Sequence, residues 1–331
     1  QAGMKHLLLA AAAASLALPV TAQEPAPIPS PGEIAAAAPA SDWIAISPSD
    51  LLVIDLAPDA KGNARRVVIQ LMPTPFSQGW IGNIRKLAAA HWWDGTSVNR
   101  VQDNYVAQWG DATEKKALPD GLATMPQSEY EINEPTGFGA SGLPLFYQAK
   151  PFDPSPSTFQ GHQVFRDNPS WNYGSFYRGV PYAGTTNPHR SKIWPIHCYG
   201  AVGVGRNLSP DTGSGAELYT VIGHAPRHLD RNIAVVGRVI SGIEHLSSLP
   251  RGTGALGFYE DAKERVPITS VRIATELAAA DQPRFEYLST ESDSFARYAD
   301  ARANRRDPFF IEPAGGADIC NVPVPVRTLA K

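Results

Sequence analysis

The sequence lacks a charge excess, and this absence excludes several kinds of partner. Among its 331 residues, 29 lysines and arginines stand against 32 aspartates and glutamates, and the formal net charge is −3. Binding to nucleic acid or to an anionic membrane through bulk electrostatics needs a strongly basic surface. We therefore expect no nucleic-acid partner.

A long apolar run is also missing. The apolar stretch from Leu7 to Leu18 is too short to span a bilayer. It follows Lys5 and precedes a small-residue end at Ala22, which is the layout of a secretory signal. Residues 4–22 are predicted to be a signal peptide, and a membrane anchor is the alternative. We expect a periplasmic or secreted protein with no stable membrane insertion after cleavage, and no cysteine lies near that point for lipoprotein anchoring.

Proline and glycine, in contrast, are abundant, with 30 and 28 residues. A chain of this kind forms turns and short strands more readily than long helices. The 43% hydrophobic content is ordinary for a protein with a real core. Residues 23–48 are rich in proline and alanine and show no core-forming pattern, so they are predicted to be a linker.

The regular part of the chain alternates between strand and helix patterns. Apolar, β-branched runs at 51–56 and 65–71 flank "APDAKGNA", whose Asp, Gly and Asn predict a hairpin turn. Helical spacing of Trp80, Ile84, Leu87, Ala88 and His91 predicts an amphipathic helix from Ser77 to about Ala90. "TSVNRV", "NYVAQW", "GAVGVGR", "AELYTVIG" and "NIAVVGRVI" are typical of strands. Ser241 and Glu244 suggest a capping box for a second helix that Pro250 ends, and residues 266–277 are typical of a last strand.

Short strands with only two helices favour an antiparallel sheet closed into a barrel, with the helices as plugs. We assign this domain to residues 49–277. Within it, residues 112–196 are dense in proline and glycine, yet eleven aromatic residues lie between Phe138 and Tyr182. Disordered linkers lack aromatics, so the segment is predicted to be an ordered, loop-rich insertion. Residues 278–331 are predicted to be a charged, irregular extension.

The sequence contains only two cysteines, Cys198 at the end of the insertion and Cys320 in the extension. In an oxidising compartment they could form one disulfide, and two unpaired thiols are the alternative. A disulfide would hold the extension against the insertion, so that both form one lobe beside the barrel.

The stretch "WDGTSVNRVQDNYVAQWGD", from Trp93 to Asp111, places Arg100 between apolar strand neighbours. An arginine at an inward-facing strand position is costly unless it has a partner or a substrate. Arg100 is therefore either a paired structural charge or a donor at a reactive site.

Two stretches of the chain carry a resemblance to a known family. "WDGTSVNRVQDNYVAQWGD" and, after the insertion, "GVGRN" followed by "TGSGAELYTVIGHAPRHLDRNIAVVGRVISGIEHLSSL" resemble the two signatures of the cyclophilins, which are prolyl cis/trans isomerases. The resemblance runs from Leu51 to Leu277, interrupted by the insertion. It implies an eight-stranded antiparallel β-barrel capped by two helices, and an exported bacterial member of the family.

The resemblance also implies a role for individual residues. Arg100 matches the catalytic arginine, and Gln108 matches the glutamine that holds this arginine and the substrate backbone. Eight further positions match substrate-binding residues of the family: Tyr105, Val106, Gly205, Arg206, Glu217, Tyr219, His228 and Leu229. Several differ in type, since tyrosine stands for phenylalanine at 219, histidine for tryptophan at 228, and Ile233 for a late histidine. Tyr105, Val106 and Tyr219 could alternatively be core residues, and Glu217 a surface residue.

The implied reaction needs neither a nucleophile nor a cofactor. The barrier to rotation about a peptide bond is roughly 20 kcal/mol because the C–N bond is partly double. An arginine can hydrogen-bond the twisted amide, because it stays charged and offers several donors in one plane. We expect proline-containing polypeptide substrates and a role in the folding of exported proteins. The alternative is a catalytically weak module that binds proline-containing segments or a protein partner.

Other chemistries find less support in the sequence. His224 and His228 are four residues apart, but Pro226 breaks the helix that a metal-binding pair would need. "GVGRN" lacks a phosphate-loop or dinucleotide fingerprint. His197 and Cys198 would suggest a thiol enzyme, but no base or orienting acid is identifiable by spacing. We expect no metal site.

Overall fold

The structure, a computed structural model, describes residues 27–133, 173–185 and 192–329. The predicted signal peptide and most of the insertion lie outside these residues. The strands of the described residues are β1 (Trp43–Ala45), β2 (Leu51–Leu56), β3 (Arg65–Leu71), β4 (Ser97–Val101), β5 (Val106–Gly110), β6 (Ile132–Asn133), β7 (Tyr173–Tyr177), β8 (Val180–Thr185), β9 (Lys192–Pro195), β10 (Ala201–Val204), β11 (Leu218–Val221), β12 (Val235–Ser241), β13 (Val266–Ile273), β14 (Phe285–Leu288) and β15 (Val326–Thr328). The α-helices there are α1 (Pro31–Ala36), α2 (Gln78–Ala89), α3 (Glu244–Ser247) and α4 (Asp293–Ala303). Within the described ranges, no helix is long and apolar enough to cross a membrane.

Eight strands close into an antiparallel barrel in the order β10-β11-β5-β4-β13-β2-β3-β12. Side chains that alternate along these strands fill its interior, among them Ile54, Ile69, Val98, Trp109 and Leu218. The closed barrel leaves no free strand edge among its members. The predicted fold class is confirmed.

The first hairpin of the barrel forms at the predicted turn. The Asp59 carboxylate accepts hydrogen bonds from the backbone N–H groups of Lys61 and Asn63 and from the Asn63 side chain. Gly62 adopts a φ of 82°, which glycine reaches without steric cost. Side chains of this turn, rather than core packing, therefore set the connection between β2 and β3.

Helix α2 covers the predicted span and buries the predicted face. Trp80, Ile84, Leu87 and Ala88 are fully buried, and the helix lies against β12 and β13. His91 does not continue the buried face, because the helix ends at Ala89 and His91 is exposed with a φ of 51°.

The second helix differs from its prediction. Helix α3 has four residues and begins after Ile243, and no side chain caps its N-terminus. Ser241 is the last residue of β12 and pairs with Val68 of β3. Because Ser241 belongs to the ladder, the predicted capping box with Glu244 is wrong. Leu246 and Leu249 are nevertheless buried, as their spacing indicates.

The prediction that residues 23–48 are a linker without a core-forming pattern is wrong from Ser30 onward. Ser30 caps α1 in a capping box with Glu33, and β1 pairs antiparallel with β14. Trp43 and Ile46 are buried against the C-terminal extension. The residues that pack against this segment come from the other end of the chain, so the composition of the segment itself does not indicate them.

The C-terminal extension is also more regular than predicted. Strand β14 lies between β1 and β15 in a three-stranded sheet. Helix α4 begins after Ser292, whose side chain accepts a hydrogen bond from the Phe295 N–H, and it packs against α1. The irregular tail expected beyond Leu277 is therefore a packed unit.

These N- and C-terminal elements join the insertion in a second hydrophobic core. Strands β6, β9, β8 and β7 form a four-stranded sheet, and Phe176, Ala183 and Trp194 from this sheet pack with Phe295 and Val322 of the extension. We call the assembly of α1, β1, β7 to β9, β14, α4 and β15 the lobe. It covers the outer side of β2 and β3, where Leu51, Val53 and Val68 belong to the same core.

Cys198 and Cys320 are joined by a disulfide. The bond ties the extension to the segment that leads from β9 into the barrel strand β10. Of the two alternatives that the sequence leaves open, the structure contains the disulfide, and with it the lobe that the disulfide implied.

Candidate active site

The candidate site is a row of residues that face each other across four barrel strands. Arg100 on β4 is opposite Gln108 on β5, Gln108 is opposite Tyr219 on β11, and Tyr219 is opposite Gly203 on β10. Directly opposed residues in antiparallel strands project from the same face of a sheet. The barrel register thus brings Arg100, Gln108 and Tyr219 together, as the resemblance implied.

Three acceptors hold the Arg100 guanidinium. Its Nη1 donates to Gln108 Oε1 at 3.0 Å, its Nε donates to the Leu256 carbonyl at 2.7 Å, and its Nη2 donates to Gln102 Oε1. A guanidinium has five N–H groups, so these bonds leave two for another acceptor. Arg100 is therefore fixed in place while keeping donors for a bound group.

Two aromatic rings flank the same guanidinium. The Arg100 Cζ atom lies 5.7 Å from the centroid of Tyr105 and 5.4 Å from that of Phe258. Burial lowers the pKa of Arg100, and the nearby Tyr105 and Tyr219 act in the opposite direction. Arginine has a pKa above 12 in water, so the group keeps its charge at neutral pH. No carboxylate is paired with it among the described residues, which sets it apart from an ordinary structural ion pair.

Glu217 lies beside Gln108 at the next position of the site. Gln108 Nε2 is 3.5 Å from Glu217 Oε2, and the carboxyl group lies so close to Gly110 that a Cβ there would be 1.9 Å from Oε1. Burial raises the pKa of Glu217 to about 7, with Gln108 acting in the opposite direction. Glu217 is half-buried, and near neutral pH its carboxyl is partly protonated, so that it can donate a hydrogen bond as an amide would.

Tyr219 forms the buried end of the row. Its side chain is 4% exposed, and burial raises its pKa well above the ordinary value. The ring lies across Gly203, where an added Cβ would be 2.3 Å from Cζ and from the hydroxyl oxygen. Only glycine at 203 leaves room for a tyrosine in this position.

The other predicted residues border this row with different exposure. Val106 is buried, and Leu229 is half-buried against the barrel core. His228 is exposed and its ring stacks on Tyr105 at a centroid distance of 6.4 Å. Ile233, in place of a late histidine, packs against the barrel core. These side chains supply apolar and aromatic surface around Arg100.

Gly205 and Arg206 follow directly on β10. The Gly205 N–H donates to the Glu217 carbonyl at 2.8 Å, and an added Cβ would be 2.9 Å from the Glu217 Cβ. Arg206 donates to the Asn232 carbonyl through Nε and Nη2, at 3.0 and 2.9 Å. Arg206 therefore ties the strand end to the segment before β12.

Helix α2 and the residues after it hold the loop that leads to Glu217. Trp80 Nε1 donates to the Thr212 carbonyl, Asn83 Nδ2 to the Ser214 carbonyl, and Trp93 Nε1 to the Ala216 carbonyl, at 2.8 to 3.0 Å. These side chains are buried. The helix that plugs the barrel thus also sets the position of one edge of the site.

Several residues contribute to the site without a recognisable signal in the sequence. Gln102, Leu256 and Phe258 contact Arg100, and His197 and Asp230 lie beneath Tyr219. Leu256 and Phe258 belong to an irregular segment without apolar periodicity, which brings Phe258 into a bridge with Arg100. A lone histidine and a lone aspartate in loops likewise give no spacing signal.

The arrangement supports binding and polarisation of an amide or carbonyl group. Cys198 is in a disulfide, so no thiol is available there. In the part of the chain that the structure describes, no three His, Cys, Asp or Glu side chains are grouped so that they could hold a metal ion. A fixed cation beside an apolar and aromatic wall can hydrogen-bond a carbonyl oxygen or an amide nitrogen while the wall holds a ring.

Comparison with known proteins identifies the family and the fold of the chain. Residues 61–273 match the family described as cyclophilin type peptidyl-prolyl cis-trans isomerase/CLD. Among solved structures, the chain is similar to the crystal structure of cyclophilin AquaCyp293 from Hirschia baltica, at 22% identity and a TM-score of 0.63, covering 86% of this chain and 93% of that chain. No curated protein matches the sequence.

Proposed function

Because the chain belongs to the cyclophilin-type peptidyl-prolyl cis-trans isomerase family, we propose that it accelerates rotation about X-Pro bonds in exported polypeptides. The observation that carries the proposal is the Arg100 guanidinium, which is held by Gln108, Gln102 and the Leu256 carbonyl and still has two N–H groups to offer. It lies beside the buried Tyr219 and the apolar Val106, which would receive the proline ring.

The mechanism follows from the peptide bond itself. Rotation removes the resonance of the amide, so the nitrogen gains a lone pair and the carbonyl loses its partial double bond to nitrogen. Arg100 would donate to this nitrogen or hold the neighbouring carbonyl oxygen, and the ring in the pocket would stay still while the preceding group turns. Binding the twisted amide better than either planar form lowers the barrier by about 1.4 kcal/mol per tenfold in rate.

Isomerisation of a peptide with a single X-Pro bond tests the proposal. Arg100→Ala should lower kcat/KM by about 100-fold or more, as loss of a donor aimed at a developing charge does elsewhere. The kcat/KM of Arg100→Lys should lie between those of Arg100→Ala and the wild type, because lysine lacks the planar guanidinium that contacts both Gln108 and Gln102. Arg85→Ala is the matched control, since Arg85 on α2 pairs with Asp50 outside the site. An unchanged rate in the Arg100→Ala variant would refute the mechanism.

A second candidate function is binding of proline-containing segments without useful turnover. Leu256 and Phe258 are exposed beside Arg100, and exposed apolar side chains next to a groove favour contacts with an extended chain. Calorimetric binding of the same peptide by a wild-type protein that shows no acceleration would favour this candidate over catalysis.

The proposed location is the periplasm or the extracellular space, after removal of residues 4–22. The Cys198–Cys320 disulfide supports it, because disulfides persist in oxidising compartments. Expression of the full sequence in a bacterium, followed by fractionation and mass measurement, should give a chain that begins after Ala22 outside the cytoplasm. A chain of full mass in the cytoplasm would contradict the proposal.

A further inference from the structure

A buried chain of polar groups lies beneath Tyr219. The Tyr219 hydroxyl is 2.9 Å from His197 Nε2, and His197 Nδ1 is 2.9 Å from Asp230 Oδ1. His197 is completely buried, and the Asp230 side chain is 7% exposed. Burying three such groups is costly unless each finds its partner, and here each does.

The direction of these hydrogen bonds follows from the chemistry of the groups. A carboxylate only accepts, so the proton of His197 stands on Nδ1 and is donated to Asp230. In the neutral ring, Nε2 is then an acceptor, and the Tyr219 hydroxyl donates to it. Because burial raises the pKa of Tyr219 well above the ordinary value, the hydroxyl keeps the proton that this bond requires.

Asp230 also forms hydrogen bonds that hold the loop carrying His228 and Leu229. Its Oδ1 accepts a second hydrogen bond, from the His197 backbone N–H at 2.9 Å, and its Oδ2 accepts one from Arg227 Nε at 2.7 Å. Arg227 to Leu229 form a single 3-10 turn directly before Asp230. The Asp230 carboxylate therefore connects Tyr219, which would form the floor of the proline pocket, with Leu229, which would form its wall.

The Tyr219 ring is confined on its other sides as well. The planes of the His197 and Tyr219 rings are 11° apart and their centroids 6.2 Å apart, so the two rings meet end to end through the hydrogen bond, and the Gly203 backbone lies directly against the hydroxyl end of the Tyr219 ring. The position of the Tyr219 ring is thus determined by its hydrogen bond to His197 in addition to apolar packing.

We propose that His197 and Asp230 are positioning residues for isomerisation: they set the distance between the floor at Tyr219 and the wall at Leu229, and so determine which proline rings the pocket accepts. This inference rests on the proposed function, since the pocket must receive a proline ring. Neither residue touches the substrate, and both act through Tyr219 and the turn from Arg227 to Leu229.

The test compares two peptides that differ only in the ring, one with proline and one with a bulkier 4-substituted proline. We expect His197→Asn to lower kcat/KM for the proline peptide about tenfold, and to reduce the preference for proline over the bulkier ring. Tyr219→Phe should reduce the same preference, with a smaller loss of rate. Because both residues act through one bond, the double variant should be no worse than His197→Asn alone.

The matched control is Thr220→Val. Thr220 is the next residue on β11, fully buried, and its hydroxyl has no hydrogen-bond partner among the described residues. Alternation along the strand places it on the opposite face from Tyr219. Removing this hydroxyl should leave both the rate and the ring preference unchanged.

The outcomes separate the two proposals. If the wild type accelerates isomerisation but folded Tyr219→Phe and His197→Asn keep its ring preference, the positioning role is refuted and the proposed function stands. If the wild type is inactive, the proposed function fails, and calorimetric affinities for the two peptides decide whether the variants still shift the preference. If His197→Asn does not fold, as judged by thermal unfolding, Tyr219→Phe and Asp230→Asn decide by the same criterion.

Discussion

The barrel and the lobe are built in different ways. Three of the eight strand pairs in the barrel are hairpins of consecutive strands, since β2 pairs with β3, β4 with β5 and β10 with β11. In the lobe, β1 pairs with β14 from the other end of the chain, and a disulfide joins Cys198 to Cys320. Hairpin pairing needs little loop closure, whereas the lobe must close long loops before its contacts form. The barrel therefore carries the candidate site, and the lobe packs on the outer side of β2 and β3.

The largest expected effect comes from the lobe core. Phe295 on α4 packs edge to face on Phe176 of β7, with ring centroids 5.0 Å apart, and it is buried. Phe295→Ala should destabilise the protein by about 3–5 kcal/mol, because it leaves a cavity. Urea unfolding measures the loss, and hydrogen exchange shows whether it is confined to the lobe.

Phe309 offers a matched control for this variant. It lies in the same extension but is 85% exposed, so Phe309→Ala should leave stability within about 0.5 kcal/mol of the wild type. If Phe295→Ala lowers the protection of barrel and lobe amides equally, the two regions unfold as one unit and are not independent in stability.

The next effect comes from the covalent link between the two regions. Replacing both Cys198 and Cys320 by serine should destabilise the protein by about 2–4 kcal/mol, because the unfolded chain regains the freedom that the bond removes. Because Cys198 follows His197, we also expect kcat/KM to fall, but less than in His197→Asn. Denaturant unfolding with and without reductant measures the contribution of the disulfide to stability. A wild type that is equally stable with reductant would contradict the predicted loss.

The smallest expected effect tests the site within the barrel. The pKa of Glu217 is raised to about 7 by burial, from an ordinary value of 4.5. The folded state therefore holds the proton more tightly, and the stability that this contributes is complete below pH 4.5 and is lost as the pH rises through 7. Glu217→Gln should match the wild type at pH 4 and exceed it by about 1–2 kcal/mol at pH 8.

Denaturant unfolding of both proteins at several pH values measures this difference. Glu244→Gln controls for the loss of one negative charge, since the Glu244 side chain is 70% exposed. A difference between Glu217→Gln and wild type that does not change between pH 4 and pH 8 would contradict the buried carboxyl.

The strands and the row of Arg100, Gln108 and Tyr219 were predictable because the sequence patterns that indicate them are local. Alternation and helical spacing located β2, β3 and α2, and two signatures identified Arg100, Gln108 and the positions around Tyr219. The contacts of Arg100 with Leu256 and Phe258 were not predictable, because an irregular loop brings them to the site. The pairing of β1 with β14 was hidden for a similar reason, since nothing near residue 43 indicates a partner near residue 288.

The sequence by itself determined the barrel class, the position of the insertion and the identity of the candidate catalytic arginine, because each depends on the pattern of residues near one another in the chain. Only the tertiary structure decided that the linker and the tail form one lobe, that burial raises the pKa of Glu217, and that His197 and Asp230 are hydrogen-bonded in a chain beneath Tyr219. Those features depend on which groups meet after folding, and burial changes the chemistry of a carboxyl or an imidazole only once its neighbours have displaced water.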